Sequence, residues 1–140
     1  MVRIEIERVQ PDYGFEAKDS AGKTVKMDTS PESGGNNHGV RPMQMVLMAL
    51  GGCSGIDVIS ILKKQRQTVE SYKMVVEGER EKDVEPSLWT NINIKFYLKG
   101  QIEIEKAKRA CQLSIDKYCS VAETLRRAGA KITWDVQIEP

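Results

Sequence analysis

Cys53 and Cys119 are the residues of this sequence with the most scope for chemistry. Cys53 lies in a long apolar run, Pro42-Met43-Gln44-Met45-Val46-Leu47-Met48-Ala49-Leu50-Gly51-Gly52-Cys53-Ser54-Gly55-Ile56-Asp57-Val58-Ile59-Ser60-Ile61-Leu62. Cys119 follows 66 residues later, in Asp116-Lys117-Tyr118-Cys119-Ser120-Val121-Ala122. A cysteine acts as nucleophile or metal ligand through its thiolate, and two that meet can exchange electrons by forming and breaking a disulfide. Glycine costs roughly 1 kcal/mol in a helix interior relative to alanine. Gly51, Gly52 and Gly55 around one thiol therefore predict the close approach of another backbone or a ligand. The bland alternative is an inert core thiol, and that is the reading for Cys111. Within one helix Cys111 and Cys119 would stand about 12 Å apart, beyond the roughly 7 Å that a disulfide allows between Cα atoms. Asp57, one turn after Cys53, reads as a paired core carboxylate, with an acid of the site as the second reading. No metal centre is expected: there is no CxxC, structural zinc usually takes four Cys or His ligands, and the single histidine, His38, sits in a glycine-rich loop as a solvated residue.

The bulk properties narrow the classes. A chain of 140 residues, 40% hydrophobic, fits one domain over residues 1–140. A net charge of +1 argues against a nucleic-acid footprint. Arg3 to Arg8 alternates apolar and charged residues, as a strand does and a signal peptide does not. A cytoplasmic location, with reduced thiols, is expected. Met43 to Leu62 is long enough to cross a bilayer and carries one charge, Asp57. Its three glycines and that charge, with amphipathic segments elsewhere that need a core to pack on, favour a buried central helix and no membrane.

The elements that must position the thiols follow from periodicity. Arg3–Gln10, Phe15–Lys18 and Lys23–Asp28 read as an antiparallel meander with turns at Pro11–Gly14 and Asp19–Gly22. Thr29–Val40 is a loop that could edge a site. Pro42 suits a first helical turn, and the helix should run to about Arg66, with basic residues at its C-terminal end. Val69–Glu81 and Leu88–Leu98 should form a long hairpin. Glu103–Tyr118 has helical spacing, a second helical piece follows Cys119 to a Gly129 cap, and Lys131–Glu139 is a last strand. The order β-β-β-α-β-β-α-α-β gives an α+β fold, antiparallel sheets packed around a long central helix.

This order, Pro42-Met43-Gln44 with Ala49-Leu50-Gly51-Gly52-Cys53, and the later Cys119-Ser120-Val121-Ala122 resemble the OsmC/Ohr family of osmotically inducible and organic-hydroperoxide-resistance proteins. The resemblance spans essentially the whole chain. It implies an OsmC-like fold and an intertwined homodimer whose sites lie at the subunit interface, both cysteines of a site coming from one subunit. It also implies a thiol peroxidase of the oxidative stress response, with catalytic Cys53 and Cys119, an organic hydroperoxide as substrate, a dithiol reductant such as protein-bound lipoyl, and no cofactor. Three departures stand out. The family's glutamate ten residues before the cysteine is Met43 here, followed by Gln44. No arginine lies between Pro11 and Val40, and Phe15 falls near the family's arginine, which leaves Arg8 and Arg41 as possible activating cations. Cys-Pro-x-Ser has become Cys119-Ser120-Val121-Ala122. The expected activity is therefore slower than in members holding the Arg/Glu pair. A non-catalytic alternative keeps the fold and binds an apolar small molecule in a pocket at Met43, Gln44 and Met48, next to Met45. A third is a stable dimer with inert thiols.

Overall fold

In a computed structural model describing residues 1–139, the chain divides into two compact units, one up to residue 46 and one from residue 47 on, each described by itself. The first carries β1 (Glu5–Gln10), β2 (Gly14–Lys18) and β3 (Thr24–Met27), an antiparallel meander in the order β1-β2-β3. Its strands lie where the alternation placed them, but they bury almost nothing: Ile4, Ile6, Val9, Phe15 and Val25 are all exposed. The loop after β3 is gathered around the Asp28 side chain. The Asp28 carboxylate, 3% exposed, accepts the backbone N–H groups of Thr29, Asn36 and His38. The Asn36 amide, with the other two, holds this carboxyl below the usual range. His38 is half-buried, not solvated as expected, because its own N–H serves that carboxylate.

The helix α1 (Pro42–Lys64) begins in the first unit and runs through the second, ending two residues before the expected Arg66. It is followed by β4 (Thr68–Arg80) and β5 (Trp89–Gln101), a long antiparallel hairpin. Next come α2 (Ile104–Leu113), a π turn (Ser114–Tyr118), α3 (Ser120–Arg127) and β6 (Lys131–Glu139). The sheet order is β4-β5-β6. The all-antiparallel expectation needs one correction: β6 runs parallel to β5, with Ile92 beside Ile132 and Phe96 beside Val136. The α2–α3 connection returns the chain to the starting end of the sheet, as parallel neighbours require.

One face of this sheet is the core. Ile92, Ile94, Phe96 and Leu98 of β5 are buried at every second position, flanked by Tyr72, Met74, Val76 and Gly78 of β4 and by Ile132, Trp134, Val136 and Ile138 of β6. Each such side chain contributes roughly 1.5–3 kcal/mol when fully buried. The helix α1 lies along β4 in matched steps. Leu47 meets Gly78, Gly51 faces Val76, and Gly55 faces Met74 and Tyr72. Eight helical residues span about 12 Å and four strand residues about 13 Å, so every fourth helix residue meets every second strand residue. Gly55 is therefore explained by close approach, to a side chain of the sheet and not to a backbone, whereas Gly51 has room for a Cβ at ordinary contact distance. A Cβ on Gly55 would lie 2.8 Å from Met74 Cε.

The helix is not buried all round, as its composition suggested. Leu50, Gly51, Ser54, Gly55, Val58 and Leu62 form a buried stripe, while Met48 is 54% and Ile56 71% exposed, with Gly52 in open space between them. One sheet covers only one side of a helix, and the apolar residues opposite are left to solvent. By length and composition α1 could cross a membrane, but its glycine stripe is seated on β4.

Candidate functional site

Cys53 follows from the α1 register. With Leu50, Ser54 and Val58 buried, Cys53 and Asp57 share the edge of the buried stripe, one turn apart and half-buried. Cys119 arrives from the other side through the π turn. Glu103–Tyr118, expected as one helix, stays α-helical only to Leu113; the turn then widens, and Cys119 N–H donates to Ser114 O at 2.7 Å. A π turn of this kind commonly marks a functional position. The widened turn is held by Arg126, whose Nη2 donates to the Ile115 carbonyl at 2.8 Å. Cys119 then takes extended backbone angles and caps α3, its Sγ accepting the Ala122 N–H at 3.4 Å. The single-helix argument that separated Cys111 from Cys119 thus does not apply, since the two lie on opposite sides of this break.

The fold brings the Cys53 sulfur, an Asp57 carboxylate oxygen and the Cys119 sulfur within 4.8 Å of one another. All three cysteines are free thiols. Ser114 at the start of the π turn donates its hydroxyl to Asp57 Oδ2 at 3.0 Å. Burial pushes the Cys119 thiol up to about 11; Cys53 and Asp57 add to the rise and the Ala122 amide opposes it. No cation figures among these influences. Cys111 is fully buried, and burial raises it to about 12. Tyr72 of β4 is also raised, by burial first and then by Cys111 and Asp57, and its buried hydroxyl has no hydrogen-bond partner.

Two thiolates and a carboxylate could supply three of the four ligands that a tetrahedral zinc takes. Such a site would need Cys119 ionised, which its burial and the neighbouring carboxylate oppose. As a dithiol the group needs no ion: the sulfurs, within 4.8 Å of each other, must close to about 2.05 Å.

The other residues singled out by sequence fall elsewhere. Arg8 is exposed in β1 opposite Phe15, and Arg41 is exposed just before α1, its N–H donating to Gln44 Oε1 at 3.3 Å. Met43 is half-buried, and Gln44 and Met48 are exposed. An open apolar groove of about 370 Å³ in the first unit is lined by Ile6, Tyr13, Phe15, Met27, Asp28, Thr29 and Pro42 instead. Ser114 was missed from the sequence, where a lone serine inside a helical pattern carries no signal.

A profile of the OsmC-like protein family matches residues 34–135. Protein YhfA of Escherichia coli K12 is 40% identical over 115 residues, which are 81% of this chain and 82% of YhfA. A crystal structure of a hypothetical protein from Aquifex aeolicus superposes with a TM-score of 0.82 at 32% identity, covering 100% of this chain and 98% of that one. A crystal structure of an organic hydroperoxide resistance protein OsmC from Legionella pneumophila shares the fold with a TM-score of 0.69 at 12% identity, covering 100% and 97%.

Proposed function

The chain belongs to the OsmC-like protein family, and we propose that it acts there as a thiol-dependent peroxidase that reduces organic hydroperoxides through Cys53 and Cys119. The observation that carries this reading is the approach of the two sulfurs within 4.8 Å in one chain, with Cys53 the more accessible. The Cys53 thiolate attacks one oxygen of the hydroperoxide. An S–O bond forms, the O–O bond breaks, and the alkoxide leaves as the alcohol after gaining a proton. The sulfenic acid on Cys53 is then attacked by the Cys119 sulfur, giving a disulfide and water before further oxidation can occur. A dithiol, with lipoyl as the candidate, returns two electrons to the disulfide. Buried Cys119 suits the second role, because a thiol pushed up to about 11 is a poor first nucleophile at neutral pH.

The protein works in the cytoplasm as a homodimer, with residues 1–140 as one domain; in support, the family match at 34–135 runs across the division at residue 46. Members of the family are generally dimeric. The sequence offers Arg8 and Arg41 for the activating cation, and alanine at whichever one acts should slow Cys53 oxidation. The groove of about 370 Å³ favours the second reading, a binder of an apolar small molecule. Turnover of cumene hydroperoxide with a dithiol reductant separates the two. Cys53→Ser is expected to abolish turnover, and equal rates in variant and wild type would leave the binding reading in its place.

A further inference from the structure

We propose that Asp57 is the proton-transfer residue of the Cys53/Cys119 pair: its carboxylate takes the thiol proton of Cys119 as the disulfide forms and delivers it to the group leaving Cys53. The inference rests on the peroxidase reading only for the identity of that leaving group.

The geometry carries the argument. Closure asks two things at once: Cys119 must lose a proton, and the departing oxygen on Cys53 must gain one. A single group within 4.8 Å of both sulfurs can do both, and Asp57 is that group. The Ser114 hydroxyl donates to Oδ2 at 3.0 Å, which holds the carboxylate in place beside the sulfurs. The groups facing Asp57 are Cys53 on α1, Ser114 on the π turn, Cys119 at the cap of α3, and Tyr72 on β4, the last two feeling its charge. The hydroxyls of Ser114 and Tyr72 hold their own protons at neutral pH, so neither can take the one from Cys119. A fixed carboxylate beside two thiols otherwise only opposes the ionisation of Cys119, a placement adverse to the chemistry unless the carboxylate handles the proton. In the step, Cys53–S–OH and Cys119–SH become the disulfide and water; the Cys119 proton ends on the released hydroxide.

The test is the rate of Cys53–Cys119 closure in rapid-quench samples, using one oxidant of each kind, cumene hydroperoxide and oxidised glutathione. With glutathione the leaving group is its thiolate, and the same proton passes to it. Asp57→Asn keeps an oxygen for Ser114 but cannot accept the proton. It should close about a hundredfold slower with both oxidants, the scale of one general acid–base group. Asp57→Glu should retain most of the rate. In Asp57→Asn the rate should also climb about tenfold per pH unit through the neutral range, since Cys119 must then ionise unaided. If the Asn variant does not fold, Asp57→Ala with added formate serves, with closure rising as formate is added. Closure as fast as or faster than wild type in the Asn variant, no gain from formate in the Ala variant, or a wild-type pair that closes with neither oxidant would overturn the proposal. A wild type that closes with glutathione but leaves Cys53 untouched by the hydroperoxide sinks the peroxidase reading alone, and the glutathione arm still decides the role of Asp57.

Discussion

The buried thiols set a pH signature of their own. Unfolded, Cys111 and Cys119 ionise near 9.0; folded, burial holds them protonated to about 12 and about 11. Both folded values are raised, so the stability they contribute is fully present below pH 9 and is lost as pH climbs through the folded values. Each thiol can add up to about 1.4 kcal/mol per pH unit to the decline in that window. Urea midpoints of wild type and Cys111→Ala, followed from pH 8 to 11, should converge above pH 9, because the variant lacks one of these groups; parallel curves would contradict the assignment. The pairing of Cys53 with Cys119 was suggested in the sequence by their match to the family's cysteine spacing, and the fold brings the two sulfurs within 4.8 Å. Asp57 was visible only as an acid one turn from Cys53, and it read as structural because its partners, Cys119 and Ser114, come from a segment about 60 residues away. Spacing along one helix does not reveal what a second helix delivers to it.

Among the elements, α1 is the one whose sequence carries most of the fold. Its three glycines were read as marks of close approach, and only Gly55 is one. A Cβ on Gly51 would stand 3.5 Å from Val76 Cγ2, an ordinary contact, whereas one on Gly55 would meet Met74 Cε at 2.8 Å. Alanine gains up to about 1 kcal/mol over glycine in a helix interior. Gly51→Ala should therefore raise stability by a few tenths to about 1 kcal/mol, and Gly55→Ala should gain less or lose, as Met74 is forced to move. Chemical denaturation checks the order of the two, and the reverse order would mean that α1 does not lie on β4 as described. The strands, the helix starts and the Gly129 cap, with its φ of 107°, followed from local pattern. The π turn and the parallel direction of β6 did not. The first depends on Arg126 reaching back to Ile115 across the helix break, and the second on which edge of β5 remains free, neither of which is a property of a short window.

At the scale of the molecule, apolar surface is left over in both units: Ile4, Ile6, Val9 and Val25 on the first sheet, Met48 and Ile56 on α1. Exposed apolar residues in each unit are what an interface would cover, and obligate dimers commonly bury about 2,000 Å² or more. Sedimentation at micromolar concentration should give a dimer, and Ile56→Lys should shift it to monomer; a monomeric wild type would remove the dimer claim. The central claim is that one chain holds a working Cys53/Cys119 pair. Its most direct test treats the protein with one equivalent of cumene hydroperoxide, weighs the intact chain and maps the thiols. The expected result is a loss of two hydrogens per chain, a Cys53–Cys119 crosslink within one subunit, and Cys111 still free. An unchanged mass, or a crosslink that includes Cys111, would contradict it.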